Sequence, residues 1–381
     1  MRPGVRSVLL SWLALLVALA LAACDGQDKP DDEPSTPADD GPGAVDPFAA
    51  GWEETVVEAS QDFRGLAAVS DSEAWVAGED VEGDRPQVLR TTDGGETWDD
   101  VTPPDSAGLS FREVEVHDGV AHVLAVGYGQ NSRILRSSDG GASWATTFRN
   151  DDDDAFYACL DLYPDGRRGL AVASLTSGPA GDGGFRILLT DDAGESWRLP
   201  PAGGIVPAVL DRVEAVGGGC LVTVDDSAFV ITSGETPRVL RSDDYGSTWT
   251  ATPSRLRAGA TGGGAAGAFA SPRQGIVVGG DQADSGQHAE AASFTRDGRR
   301  WEVSTGTTHV SEDVALLSGF AGAADGQVAI STGDVGLSVG SSLSTDAGAS
   351  WTRVSDLGYH TVDCAGATCW AAGSGGRVGH N

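Results

Sequence analysis

The chain has 381 residues, a formal net charge of −31 and 54 glycines. Such an acidic surface repels the phosphates of nucleic acids and of anionic lipids, so we expect neither as a partner, whereas a basic partner stays open. A hydrophobic fraction of 40% suffices for a sizeable core, and an all-β repeat ring of this length can be a single domain.

Residues 1–23 have the pattern of a signal peptide. Arg2 and Arg6 precede an apolar run at residues 8–20, which is too short to span a bilayer comfortably. The run ends in Leu-Ala-Ala-Cys, which resembles a bacterial lipobox. The resemblance implies lipidation of Cys24 and attachment to the extracytoplasmic face of a membrane. The alternative is an ordinary signal peptide that happens to carry a cysteine.

Residues 24–50 are rich in Asp, Pro, Gly and Ser and contain almost nothing to bury, so they are predicted to be a disordered acidic tether. Such a segment reaches roughly 25 Å on average. Asp25 resembles the inner-membrane retention signal of some Gram-negative lipoproteins. In a Gram-positive cell it would carry no such meaning, so the envelope type stays open.

One motif returns six times after the tether, about fifty residues apart. The first copy is Thr91-Thr92-Asp93-Gly94-Gly95-Glu96-Thr97-Trp98, and the fifth copy, at residues 295–301, lacks one residue before its tryptophan. A period of this length predicts a repeat architecture. The defining positions, in chain order, are Asp93, Gly95, Trp98, Asp139, Gly141, Trp144, Asp192, Gly194, Trp197, Asp244, Gly246, Trp249, Asp297, Trp301, Asp346, Gly348 and Trp351.

Each copy is predicted to be a tight turn between antiparallel strands. Short polar side chains accept nearby backbone N–H groups, glycine supplies a positive φ, and the tryptophan packs over the hairpin. At least five copies closely resemble the Asp-box, or BNR repeat. Calcium loops or catalytic acids are the alternative, but a turn that satisfies its own backbone needs no ligand. We therefore predict no catalytic residue, metal or cofactor at these positions.

Four short strands follow the same order within each period, and in the first period they lie near residues 64–69, 74–78, 87–90 and 97–101. Four such strands make one propeller blade. There are six whole units, and the C-terminal piece, about 359–381, lacks only a fourth strand. The N-terminal strand, about 52–58, has the pattern of that missing strand. The sequence therefore predicts an all-β, seven-bladed β-propeller at residues 51–381, closed by its own termini.

Four cysteines follow Cys24, and two of them, Cys364 and Cys369, flank a short turn between adjacent strands, so we predict a disulfide there. Cys159 is placed in the first strand of the third unit and Cys220 in the second strand of the fourth. A bond between these two and a pair of buried free thiols both remain open. No Cys-x-x-Cys pair with histidine partners indicates a zinc site.

Trp75-Val76-Ala77-Gly78 and Trp370-Ala371-Ala372-Gly373, with Ala125-Val126-Gly127, resemble a strand in the repeat of the photosystem II stability and assembly factor family. The resemblance covers nearly all of residues 52–381. It implies a propeller that acts as a binding or assembly module for a protein or glycan partner. We expect a monomer, and nothing in the chain implies a photosystem.

Sialidases also carry Asp-boxes and are the enzyme alternative. That resemblance implies three arginines for a substrate carboxylate, a tyrosine nucleophile activated by glutamate, and an aspartic acid. Their Phe-Arg-Ile-Pro motif is absent, and Asp62-Phe63-Arg64-Gly65 departs from it after two residues. An exo-α-sialidase-like glycoside hydrolase is therefore the second hypothesis, with a central cluster of three arginines and a Tyr–Glu contact as its criterion.

Asp-boxes join the third and fourth strands, so all of them lie on one face. Connections from second to third strands, and those between blades, lie on the opposite face, which is the predicted binding face. Its aspartate run, residues 151–154, is predicted to be unordered and solvated rather than to hold a cation. The predicted loops of this face are 79–85, 128–133, 174–184, 281–290 and 150–154. Six histidines are dispersed and define no constellation: His117, His122, His288, His309, His360 and His380.

Overall fold

The computed structural model describes Phe48 and residues 51–80, 85–175, 185–200, 214–319 and 323–381. The predicted leader, Cys24 and nearly all of the predicted tether lie outside these residues. Phe48 belongs to the folded part, because its side chain is 3% exposed and meets Trp52 edge to face with ring centroids 5.0 Å apart. In the described residues no helix is long and apolar enough to cross a membrane.

The described strands form seven antiparallel sheets, each of which is one blade of a ring. The chain starts with β1 (Glu53–Val56) and continues through blade 1 with β2 (Gln61–Ala68), β3 (Ala74–Asp80), β4 (Gln87–Thr91) and β5 (Asp99–Asp100). Blade 2 has β6 (Ser110–His117), β7 (Val120–Val126), β8 (Arg133–Ser137) and β9 (Ala145–Arg149). Blade 3 has β10 (Ala155–Leu162), β11 (Gly169–Leu175) and β12 (Arg186–Thr190).

Blade 4 has β14 (Leu221–Val224), β15 (Ser227–Ile231), β17 (Arg238–Ser242) and β18 (Thr250–Pro253). The short β13 (Glu214–Ala215) and β16 (Ser233–Gly234) pair with each other and join the sheet of blade 5 through β16. Blade 5 has β19 (Gly262–Ser271), β20 (Gln274–Asp281), β21 (Ala292–Thr295) and β22 (Glu302–Val303). Blade 6 has β23 (Asp313–Leu317), β24 (Val328–Val335), β25 (Ser338–Ser344) and β26 (Thr352–Ser355). Blade 7 has β27 (Thr361–Ala365), β28 (Thr368–Ala372) and β29 (Arg377–His380), and the described 3₁₀ turns are Gly129–Asn131 and Gln282–Asp284.

The ring is closed by β1, which pairs antiparallel with β29 as the fourth strand of blade 7. Thr55 lies opposite Val378, and Val56 lies opposite Arg377. The predicted seven-bladed all-β propeller with shared closure is confirmed. Closure matters physically because it pairs two strands whose backbone groups would otherwise form open edges.

The first strand of each blade lines the centre, and the strand directions define two faces. We call the side that carries the six Asp–Gly–Trp turns, each of which follows a third strand, the turn face. The opposite side, with the second-to-third-strand connections, is the loop face. Since Glu53 pairs with His380 at the turn-face end of β29, the chain enters its first strand from the turn face.

Tryptophans of the turns seal the joints between blades. The Trp144 indole N–H of blade 2 donates to the Val101 carbonyl of blade 1 at 2.8 Å, and its ring lies edge to face with Trp75, with centroids 6.4 Å apart. Trp98 of blade 1 meets Trp370 of blade 7 in the same way. These rings pack on the preceding blade as well as on their own hairpin, because the wedge between two twisted sheets is where a large apolar surface can be buried.

Two disulfides are present in the described residues. Cys364 and Cys369 are joined across the hairpin between β27 and β28, with Cα atoms 4.1 Å apart. Cys159 of β10 is joined to Cys220, with Cα atoms 5.8 Å apart, so this pair does not consist of free thiols. The prediction that Cys220 lies in a second strand is wrong. It directly precedes β14, the first strand of blade 4, because the earlier segment β13 pairs with β16 instead.

Candidate functional site

The Asp–Gly–Trp turns hold their own carboxylates. In the first copy the Thr97 N–H and hydroxyl donate to the two oxygens of Asp93 at 2.9 and 2.6 Å, while Thr91 Oγ1 accepts the Gly95 N–H at 2.9 Å. The same bonds recur around Asp139, Asp192, Asp244 and Asp346. The hydrogen bonds from Thr97 lower the pKa of Asp93. These carboxylates are committed to the backbone, so the turns have the geometry of structural locks.

The second glycine of a turn has a reason beyond its positive φ. At Gly141 φ is +90°, and an added Cβ would lie 2.6 Å from the Val101 Cβ of the preceding blade. At Gly246 it would lie 2.7 Å from Leu170 of blade 3. The turn therefore docks against its neighbour so closely that only a hydrogen fits.

Arginines near the ends of three third strands grip the next blade, a role that the sequence did not reveal. Arg136 Nε donates to the Ala193 carbonyl at 2.9 Å, and Arg241 Nη1 donates to the Gly298 carbonyl at 3.1 Å. Arg90 reaches the Gly140 carbonyl in the same way at 3.3 Å. The sequence does show an arginine recurring at this strand position. Its role could be recognised only once the structure had placed the turn of the next blade beside it.

A cavity of about 640 Å³ occupies the centre of the ring. Its wall contains polar side chains of blades 1, 2, 3, 6 and 7, whereas blade 5 contributes mainly backbone from the glycine-rich start of β19. At the loop-face end the side chains of Arg64, Arg112 and His360 line the opening. The channel therefore presents charged side chains and glycine backbone, whereas the polar groups of the turns on the other face are hydrogen-bonded within their own turns.

Buried carboxylates inside the channel staple one inner strand to the next. Asp161 Oδ2 accepts the Thr223 N–H at 2.6 Å, Asp313 Oδ2 accepts the Val362 N–H at 2.9 Å, and Glu113 and Asp363 make equivalent bonds to Leu160 and Ala68. Burial raises the pKa of Asp161 and the pKa of Asp313 to about 7. Near neutral pH the Asp161 and Asp313 carboxyl groups are therefore partly protonated. No cluster of His, Cys, Asp or Glu suited to a metal ion occurs in the described part of the chain.

A charged quartet joins blades 1, 6 and 7 at the loop-face rim. His360 Nδ1 lies 2.8 Å from Glu312 Oε2, and His360 Nε2 lies 3.1 Å from Asp62 Oδ1. Arg64 bridges the same two carboxylates at 3.1 and 3.4 Å. Burial alone would lower the pKa of His360, but its two carboxylate partners outweigh burial and raise that pKa to about 9. The His360 side chain is therefore positively charged at neutral pH, and the ion pairs of the quartet hold blades 1, 6 and 7 together.

The criterion for a sialidase-like site is not met by the described residues of the channel. A Tyr–Glu contact does occur, since the Tyr359 hydroxyl donates to Glu54 at 3.0 Å. Glu54 belongs to β1, however, the outermost strand of blade 7, and Tyr359 is fully buried. Burial raises the pKa of Tyr359, the opposite of what a nucleophile needs. At the channel rim Arg64 and Arg112 are each paired with carboxylates.

The predicted recognition loops lie on the loop face as far as they are described, and residues 81–84 and 176–184 fall outside the described residues. The prediction that residues 151–154 are unordered is wrong for Asp152. Its carboxylate pairs with Arg186 and accepts the Asp154 N–H at 2.9 Å, which lowers the pKa of Asp152. Tyr128 is 57% exposed beside this turn and contacts Phe156 edge to face.

The histidines stay dispersed in the ring. His122 Nε2 lies 3.1 Å from the Ala193 carbonyl, and burial lowers the pKa of His122 to about 4. Burial also lowers the pKa of His309 to about 4 in a pocket of hydroxyls that includes Ser342. Both are packed in the structure as neutral side chains between blades.

No protein-family model matches the chain, and no curated protein matches it significantly. Solved propeller structures do match. YCF48 bound to D1 peptide is 14% identical, with a TM-score of 0.57 over 86% of this chain and 94% of that one. U3-55K is 10% identical (TM-score 0.58; 86% and 97%), and the RRP9 WD40 repeats are 9% identical (TM-score 0.58; 86% and 96%). At these identities the likeness concerns the fold: the chain is a β-propeller.

Proposed function

We propose that the protein is a lipid-anchored, extracytoplasmic propeller that serves as a binding or assembly scaffold, with its partner on the loop face. The anchor is Cys24, the turns act as structural Asp-boxes, and the mature protein is a monomer without a cofactor. The observation that carries the proposal is the geometry of the two faces. The chain enters the ring at the turn face, so a tether that leaves there lets the loop face point away from the membrane.

The two faces also differ in what their polar groups do. Carboxylates of the turn face are engaged by their own turns, as at Asp93. On the loop face the mouth of the channel combines partly exposed charges, such as Arg112 paired with Glu79 at 2.8 Å, with the exposed ring of Tyr128. Rigid elements that present exposed aromatic and charged groups are typical of recognition surfaces.

A protein segment fits this surface better than a nucleic acid, because the formal net charge of −31 opposes phosphate binding. A peptide is bound by one propeller of similar fold, YCF48, which supports this choice of partner class. A glycan partner remains the second possibility for the same face. Sialidase-like hydrolysis is the alternative function, but the described Tyr–Glu contact, between Tyr359 and Glu54, lies outside the channel.

The proposal is tested in cells with a photo-crosslinking residue at Gln130 on the loop face of the full chain. We expect a discrete crosslinked product that Arg112→Ala abolishes. The matched variant Arg168→Ala leaves the product unchanged, because Arg168 is also partly exposed and ion-paired, to Asp165, but lies on the turn face. Equal loss in both variants, or no product, contradicts loop-face binding.

Two further measurements test the other parts of the proposal. Cys24→Ala releases the protein from the membrane fraction if the anchor is correct, and retention there contradicts it. Turnover of a fluorogenic sialoside by the purified protein would replace the scaffold with the enzyme alternative.

A further inference from the structure

The fifth turn departs from the other five in its charge. It has the sequence Thr295-Arg296-Asp297-Gly298-Arg299-Arg300-Trp301, where the other copies have aspartate, glutamate, glycine, alanine or hydroxyl residues in place of the arginines. All three arginine side chains are exposed. Asp297 accepts the backbone N–H groups of Arg299 and Arg300 at 2.8 and 2.7 Å. The lock of the turn is therefore kept, while its surface becomes cationic.

Two arginines from neighbouring segments reach the same place. Arg273 is exposed on the hairpin between β19 and β20, and it forms no ion pair with the described residues. Arg241 of blade 4 donates through Nη1 to the Pro272 carbonyl at 2.7 Å. A shallow hollow lies between them, lined by Arg241, Arg273 and Arg299 together with Ser271, Pro272 and Asp297. We call Arg241, Arg273, Arg296, Arg299 and Arg300 the arginine cluster.

The acids inside this cluster are already engaged. Asp243 accepts hydrogen bonds from Arg241 at 2.7 Å and from the Ser227 hydroxyl at 3.0 Å, and Arg299 lies 3.8 Å away. Asp297 is held by its own turn. Arg296 stacks over Phe294, with its guanidinium carbon 4.5 Å from the ring centroid. Arg241 is engaged by Asp243 and by two backbone carbonyls. The remaining members, Arg273, Arg296, Arg299 and Arg300, are exposed and outnumber the two engaged carboxylates, so the patch carries surplus positive charge on a strongly acidic protein.

We propose that the arginine cluster binds the phosphate groups of anionic lipid headgroups, so that blade 5 rests on the bilayer to which the chain is anchored. The inference rests on the anchor of the proposed function, since β1 starts at the same face that bears the cluster. Guanidinium groups bind phosphate oxygens in bidentate fashion, and exposed arginines near an anionic surface each add to membrane attraction. A short tether raises the effective concentration of lipid at the cluster.

The net charge of the whole chain predicts the opposite, namely repulsion. Salt resolves the conflict, because at physiological ionic strength a charge acts over only about 8 Å. Acids on distant blades then count for little at blade 5. Contact with the bilayer through blade 5 at the turn face leaves the loop face exposed to partners.

The test uses the full lipidated chain in vesicles of phosphatidylcholine, with and without phosphatidylglycerol. A photoreactive group sits on the headgroup of a tracer lipid, and crosslinked peptides are mapped by mass spectrometry. We expect crosslinks at residues 270–273 and 296–301 that rise about tenfold with the anionic lipid. Arg273→Gln with Arg299→Gln removes most of this rise. The control, Arg133→Gln with Arg149→Gln on the loop face, removes the same charge and leaves it intact.

The outcomes separate the anchor from the cluster. A chain that fails to float with vesicles contradicts the anchor, whereas a chain that floats but crosslinks equally in both lipid mixtures overturns the lipid contact. Inorganic phosphate that saturates the cluster on neutral vesicles, with no added effect of phosphatidylglycerol, assigns the site to free phosphate and overturns it too. Tighter binding of polyglutamate than of anionic vesicles makes the patch a protein-docking surface, which also overturns the proposal.

Discussion

Asp363 Oδ2 accepts the backbone N–H of Ala68 at 2.8 Å and thereby joins the inner strand of the last blade to that of the first. Asp161 and Asp313 make the same connection between their own neighbours. The inner strands of neighbouring blades belong to separate sheets and share no backbone ladder. A side-chain carboxylate therefore supplies the hydrogen bond between them. The channel is held together by these bonds as well as by the apolar wedges between blades.

Removal of this acceptor weakens ring closure. Asp363→Ala lowers the free energy of unfolding by about 1–3 kcal/mol, because the half-buried N–H groups of Ala68 and Cys364 lose their acceptor. Asp363→Asn keeps an acceptor oxygen and costs less. Urea unfolding followed by tryptophan fluorescence measures both values. Equal costs for the two variants would show that the hydrogen bond contributes nothing.

The channel carboxylates make stability depend on pH. Burial raises the pKa of Asp313 from 3.8 to about 7, so the folded state binds a proton that the unfolded state releases. Stability from this group is therefore complete below about pH 4 and is lost as the pH rises to 7. Asp313→Asn does not titrate, so the stability of wild type relative to this variant falls on the order of a few kcal/mol across that window. A difference that is constant with pH contradicts the prediction.

The rim quartet has its own pH window. The partners of His360 outweigh burial and raise the pKa of His360 from 6.5 to about 9, so its contribution is complete below pH 6.5 and is lost as the pH rises through 9. We expect wild type to lose on the order of 2 kcal/mol relative to His360→Gln between pH 7 and 9. Thermal unfolding at several pH values measures this. A parallel pH profile for the two proteins refutes the charged clasp.

Two glycines with positive φ separate backbone strain from the contact between blades. Gly141→Ala introduces a Cβ only 2.6 Å from Val101, whereas at Gly108, with φ of +74°, a Cβ meets nothing within 4 Å. Gly108→Ala costs about 1 kcal/mol from backbone strain alone, and Gly141→Ala costs at least 1–3 kcal/mol more from overpacking. Denaturant midpoints give both numbers. Similar costs at the two positions would mean that the blades can move apart freely.

Local and periodic features are the ones that sequence predicts. The Asp93 turn closes through residues only a few positions away, and Thr55 could be matched to β29 because both carry the blade pattern. The hydrogen bonds of Asp161 and Asp313 could not be predicted, since their partners are backbone N–H groups 62 and 49 residues away and have no sequence signature. The assignment of Cys220 to a second strand is wrong because β13, which precedes it, pairs with β16 and is not the first strand of blade 4.

Average properties also hide local ones. The formal charge of −31 describes the whole chain and conceals the arginines that meet at residues 273 and 299 only when blade 5 folds. The quartet of Asp62, Glu312 and His360 with Arg64 is invisible for the same reason, since its members come from three blades. A charge cluster whose members come from different blades can be recognised only from the three-dimensional structure.

Among the described strands β1 is synthesised first, and its partner β29 is synthesised last. β29 ends at His380, so the ring cannot be sealed until that residue has been synthesised. Until then β1 has no neighbour, and a premature stop before Arg377 leaves blade 7 with a bare edge open to proteases. The pairing of β1 with β29 thus acts as a proofreading step, because only a chain that reaches β29 can cover the edges of both strands.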